Sequence, residues 1–266
     1  MEQKQQPVQQ TKSKSDFPSE EVTLPSKGIL YPESSPLRKG VIEMKYMTAR
    51  EEDILTNQNF IKKGTVIDKL LQSLIVTPGV DYNDLLIGDK NAILIAARIL
   101  GYGSDYTVVI TNPDTGEEED VTIDLTESKD KELDPNLPID GRNEFPLELP
   151  ASKLNITFQL MTNRVERQIE QELKGLKKID KYKSVELSTR LKHVITSING
   201  DRDTKKIREF VDTKFLARDS RALRNEIQRI SPDIDLKYDI EFENGHIQEN
   251  VTIPITVNFF WPDTGV

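Results

Sequence analysis

Side chains able to do chemistry are few in this chain, and they are scattered. It has two histidines, His193 and His246, and no cysteine. His193 sits in a helical pattern between positions of mixed character, and His246 sits beside Asn244-Gly245. Neither has a partner at metal-ligand spacing. The signatures of a nucleophile elbow (G-x-S-x-G), a phosphate-binding glycine loop and a zincin helix (H-E-x-x-H) are absent. Without cysteine, disulfides and thiolate metal sites are excluded. Carboxylates remain. Thr48 and Glu51 fall in the S/T-x-x-E pattern of a capping box, which satisfies two backbone donors at a helix start and needs no substrate. Glu117-Glu118-Glu119-Asp120 lacks the alternating ligand spacing of a calcium loop and reads as the solvated flank of a hairpin. No catalytic residue, cofactor or metal ligand is assigned. The remote enzyme reading would need two converging acids with perturbed titration, which these spacings do not supply.

Charge is uneven along the chain. The total is −9, but residues 161–230 hold 18 Lys/Arg against 11 Asp/Glu, while residues 105–149 hold 3 against 14. Two solvated faces that keep the protein soluble account for this; so does a contact in which the acidic patch of one copy or partner meets the basic helices of another. Lys205, Lys206, Arg208, Arg218, Arg221, Arg224 and Arg229 lack interleaved aromatics, and the chain is acidic overall, which argues against nucleic acid. No apolar run approaches the roughly 20 residues of a membrane span. The start, Met1-Glu2-Gln3-Lys4, lacks the apolar centre of a signal peptide, so a soluble, cytosol-made protein is expected.

These residues must be positioned by an α+β fold. Residues 1–21, rich in Gln, Lys, Ser and Glu, read as a flexible arm. In Leu24-Pro25-Ser26-Lys27-Gly28-Ile29-Leu30-Tyr31-Pro32, the prolines and glycine predict a turn-rich clamp rather than a pocket. Short helices are expected over 51–59 and 65–75, then a nearly all-apolar helix over 89–100 that must be buried and is capped by Gly101. A hairpin over 105–125 turns at Asn112-Pro113-Asp114-Thr115-Gly116. That tip resembles a zinc-ribbon knuckle, C-P-x-C-G, with Asn112 and Thr115 where the sulfurs would stand; lacking thiolates, it is expected to be held by turn chemistry. Residues 127–143 read as an irregular connector between a 22–143 region and a 144–266 region, which are able to form one domain. Strands over 145–149 and 154–161 lead into four amphipathic helices: 164–173, 184–198 with Ser184 as N-cap and Gly200 as stop, 203–214 and 219–230. The chain closes in a long hairpin whose first strand alternates Leu236, Tyr238, Ile240 and Phe242. After Asn244-Gly245 the return strand alternates Val251, Ile253, Ile255, Val257 and Phe259, with Pro254 marking an edge or a bulge. Phe259, Phe260, Trp261 and Pro262 at its end are candidate partner contacts, by strand addition or aromatic docking. Trp261 equally suits packing on the chain's own helices.

The Leu24–Pro32 stretch, followed by Val41 to Leu55 with its Met47-Thr48-Ala49-Arg50-Glu51-Glu52, resembles the opening of the baseplate hub proteins of T4-like bacteriophages. There an L-P-S-[KR]-G-x-x-Y segment precedes a "vRxMTaxEExiL" segment. Ile253 to Pro262 is similar to that family's closing strand and its aromatic-Trp-Pro end. The resemblance implies a structural or assembly protein of the phage tail with other tail or hub proteins as partners. It would be made in the host cytoplasm and, if retained, carried in the virion baseplate. It leaves hub subunit and departing assembly chaperone both open, and possible self-association with them.

Overall fold

The computed structural model describes residues 18–179, 185–253 and 257–260, with 257 and 258 by backbone alone. Most of the expected arm, the Ser184 cap, Pro254, Trp261 and Pro262 lie outside the described residues.

The first element corrects the end of the arm: Ser19–Thr23 (β1) pairs antiparallel with Val41–Lys45 (β2). What orders residues 19–21 is the β2 strand, whose Ile42 and Met44 point into the core; nothing in their own composition signals this. Between β1 and β2 the clamp turns through Gly28 at φ +76°, where a Cβ would lie 2.3 Å from the Arg38 carbonyl oxygen, so only glycine fits. Leu24, Leu30, Tyr31 and Leu37 are buried there. The connector is tied to this loop. Arg38 donates through Nη1 to the Ile29 carbonyl (2.7 Å) and through Nη2 to that of Ile139 (2.8 Å).

Helices Ala49–Leu55 (α1), Gln58–Lys63 (α2) and Val66–Leu74 (α3) follow, where one helix and then a second were expected. The capping box is present: the Glu51 carboxylate accepts from the Thr48 N–H (3.1 Å) and Oγ1 (2.6 Å). Helix Ile87–Tyr102 (α4) is the buried apolar helix, and it runs past Gly101. Arg98 explains the extension, because it folds back to donate to the carbonyls of Gly103 (2.9 Å) and Asp105 (3.0 Å), and Gly103 at φ +86° takes the cap instead.

Asp105–Thr111 (β3) and Glu118–Asp124 (β4) form the predicted hairpin as a separate two-stranded sheet. At its tip Asn112 is buried; it accepts from the Asp114 N–H (2.9 Å) and donates to Glu119 Oε1 (2.7 Å). Lys129–Asp130 (β5) pairs with a strand far along the chain, Ile234–Asp235. Phe145–Glu148 (β6) and Asn155–Phe158 (β7) precede helices Asn163–Ile179 (α5) and Glu186–Val194 (α6). Helix α6 ends sooner than expected. Ile195–Ile198 (β8) is a strand that completes an antiparallel β6-β7-β8 sheet, with Ile195 and Ser197 facing inward. β-Branched Ile195, Thr196 and Ile198 fit a pleated surface, and Thr157 Oγ1 sits 2.7 Å from both the Thr196 and Ser197 hydroxyls across the sheet.

Thr204–Thr213 (α7) and Ala217–Ile230 (α8) complete a four-helix series. After Ile234–Asp235 (β9), Lys237–Glu241 (β10) and Ile247–Thr252 (β11) form the closing hairpin. Tyr238 and Ile240 alternate inward as expected. The return strand starts earlier and is largely exposed; a register shift between Tyr238 and Ile240 and a left-handed Asn250 (φ +58°) break the expected alternation. Val257–Phe260 is a 3-10 turn, not strand. One buried apolar cluster runs from Leu24 to Phe260 and joins both regions.

Candidate contact surfaces

Phe259 and Phe260 are each 1% exposed. The 3-10 turn aims them inward: Phe259 makes T-shaped contacts with Tyr106 on β3 (ring centroids 4.9 Å, 74°) and with Phe260 (5.4 Å, 88°). Both belong to the chain's own core in this structure. The cause is the 3-10 turn over Val257–Phe260, which periodicity through Phe259 did not reveal. Trp261 and Pro262 lie outside the described residues.

The N-terminal clamp closes on a buried acid that the sequence reading passed over. Asp89, 0% exposed in the first turn of α4, accepts from the Ser26 N–H (2.9 Å), Ser26 Oγ (2.7 Å) and Tyr31 OH (2.5 Å). The Tyr31 hydroxyl in turn accepts from the Leu86 N–H at 2.9 Å. Burial raises the Asp89 carboxyl above its ordinary range despite these donors, and burial together with Asp89 raises the Tyr31 phenol well above its own. Lys27 pairs with Asp130 on β5. Ser26, Lys27, Gly28 and Tyr31 of the L-P-S-K-G-x-x-Y motif are thus each engaged inside the chain. The signal that could have found Asp89 is an acid in a helix too apolar to be exposed. Its partners, about 60 residues away, cannot be located from spacing.

A family model described as "T4 bacteriophage base plate protein" matches residues 20–261. The chain belongs to that family. Comparison with curated proteins and with solved structures gives no match. The matched range takes in all but the first residue of β1, the clamp on Asp89 and the inward-facing aromatics.

In this base plate protein several charged groups are spent on one another. His193 Nε2 lies 2.8 Å from Glu172 Oε2, and Arg208 forks onto the same carboxylate at 2.8 and 2.7 Å. Arg208, against an opposing desolvation and helped by His193, holds the Glu172 carboxyl down at about 2. Glu144 is held at about 2 by a fork from Arg202 (2.8 Å to each oxygen) and by the Thr196 hydroxyl. A carboxylate so acidic is a poor general base at neutral pH. Among the described residues no hydroxyl donates to His193, and no group of three or more His, Asp or Glu could hold a metal ion. His246 Nδ1 lies 2.9 Å from Asp114 Oδ2, and the Glu243 N–H donates to Glu119 (2.9 Å), so the tips of the two hairpins touch. Among the described residues no helix is long and apolar enough to cross a membrane.

The glutamate pair makes acid stability measurable. Their folded values lie below the ordinary carboxyl value of 4.5, so the stabilisation is complete above 4.5 and is lost as pH falls toward about 2. With solvent screening each contributes about 1–2 kcal/mol. Arg208→Met should flatten part of the acid limb of urea midpoint against pH, and Arg202→Met another part. An unchanged limb in both would show the pairs to be energetically idle.

Proposed function

We propose that this protein is a structural or assembly component of the base plate hub, working through protein contacts rather than catalysis. Its partners are other tail proteins; it is assembled in the host cytoplasm and carried in the virion tail if retained. The observation that carries the reading is the family match over residues 20–261, within which Ser26 and Tyr31 of the L-P-S-K-G-x-x-Y segment are engaged in folding instead of lining a reactive cleft. The resemblance of Leu24–Leu55 to hub proteins supports the narrower assignment to the hub. Quantitative mass spectrometry of purified particles and of assembly intermediates tests it. Stoichiometric copies in particles mark a subunit, and copies confined to intermediates mark an assembly chaperone. Absence from both, with no tail protein recovered by pull-down from infected cells, overturns the reading.

A further inference from the structure

Six of the nine arginines between residues 161 and 230 hold a carboxylate: Arg164, Arg167, Arg190, Arg202, Arg208 and Arg229. The other three, Arg218, Arg221 and Arg224, are exposed on one helix, α8, at successive i, i+3 positions, and form no ion pair among the described residues. The acid beside them does not neutralise them by contact, because Asp219 is buried and its carboxylate accepts from the Ala151 (2.7 Å) and Ser152 (3.0 Å) N–H groups. Three like charges one helical turn apart repel each other, so an isolated copy holds this stripe at a cost.

The opposite pattern lies on the β3–β4 hairpin. Its register pairs Thr107 with Thr122, Val109 with Asp120 and Thr111 with Glu118, which places these six on one face. Val109 at the centre is 63% exposed, and Glu118 and Asp120 are exposed and hold no cation among the described residues. Among the described residues neither strand pairs with a third. These acids, two residues apart on one face, also repel each other.

We infer that the arginine stripe of α8 in one copy docks on the acidic, valine-centred face of the β3–β4 hairpin in a second copy. This deepens the reading of the chain as a contact-making base plate protein by naming a partner. The dimensions suit it. Arg218 to Arg224 spans about 9 Å of helix, and Glu118 to Thr122 about 14 Å of strand. Docking relieves both sets of like-charge repulsion and covers Val109. A net charge of −9 repels copies at long range, so only an oriented approach joining unlike patches is favourable. Each copy carries both halves, so the contact closes by reciprocity between two copies or around a ring.

Analytical ultracentrifugation of the full chain tests this, at concentrations up to about 0.1 mM where weak contacts register. The expected result at low salt is a species above the 30.4 kDa monomer. It should dissociate near 1 M salt, where the Debye length shrinks to about 3 Å. Arg221→Glu with Arg224→Glu, or Glu118→Lys with Asp120→Lys, should each weaken association at least about tenfold with the circular-dichroism melt unchanged. Mixing the two variants should restore it, since one supplies an intact hairpin and the other an intact helix. A monomer at low salt, or association indifferent to either pair of changes, overturns the inference. So does loss of capture of an acidic tail protein on changing the arginines alone, which would identify that protein as the occupant. In each of these cases the particle mass spectrometry reads the hub assignment separately.

Discussion

Replacing Asp89 by alanine is expected to destabilise the fold by about 3–5 kcal/mol, read as a lowered urea midpoint with an unchanged m-value. The carboxylate is the common acceptor for Ser26 N–H, Ser26 Oγ and Tyr31 OH, and it has no access to solvent. Truncation strands three donors at once, and each unsatisfied buried donor costs about 1–3 kcal/mol, less whatever the hydroxyls recover by turning. It also frees the clamp, because the Tyr31 hydroxyl bridges Asp89 to the Leu86 N–H at the start of α4. Asp89→Asn should cost less, since it keeps the volume and one acceptor oxygen. The pH dependence separates both variants from the parent. Burial lifts the folded carboxyl above its ordinary 3.8, so the native state binds this proton more tightly, and the Asp89 contribution to stability declines as pH rises from 3.8 through the folded value. Both variants should lack that decline, since neither keeps the carboxyl, and alanine should lie below asparagine in stability across the range. This window opens upward from 3.8, while that of Glu144 and Glu172 runs downward from 4.5, so the two effects can be resolved in one titration. An alanine variant as stable as the parent would mean that the clamp is not held by Asp89.

Local chemistry was legible where it is set by neighbours in the chain. Thr48 and Glu51 cap α1, Asn112 to Gly116 turn the β3–β4 hairpin, and Tyr238 and Ile240 alternate inward on β10; each follows from spacing alone. Errors fall where a distant partner decides. Ile195–Ile198 continues the apolar period of α6, and only the presence of β7 turns it into a strand. Ser19–Glu21 looks like arm until β2 is beside it. The motif residues Ser26 and Tyr31 read only as part of a turn-rich clamp because the acid they bind lies on a helix about 60 residues away. Charge asymmetry, by contrast, was visible as composition. Which arginines stay free was not, because that depends on tertiary pairing of the rest.

Phe259→Ala should cost about 3–5 kcal/mol, the range for a fully buried aromatic removed from a core that cannot collapse around the gap. Two observations favour the upper part. The ring makes T-shaped contacts with Tyr106 and Phe260 at 4.9 and 5.4 Å, so its loss also removes two oriented aromatic contacts. Tyr106 lies beside Arg98, whose guanidinium carbon is 5.9 Å from the ring centroid and whose Nη groups hold the end of α4, so a cavity here loosens that helix end as well. The experiment is a comparison of urea midpoints for Phe259→Ala and Val109→Ala. The valine, exposed on the hairpin, should shift stability by under about 0.5 kcal/mol while weakening self-association. The phenylalanine should do the reverse, losing stability in the monomer itself at high salt where copies are apart. If Phe259→Ala instead left the high-salt midpoint in place and abolished association, the C-terminal turn would be a docking element after all. The inward packing on Tyr106 would then have to open on assembly.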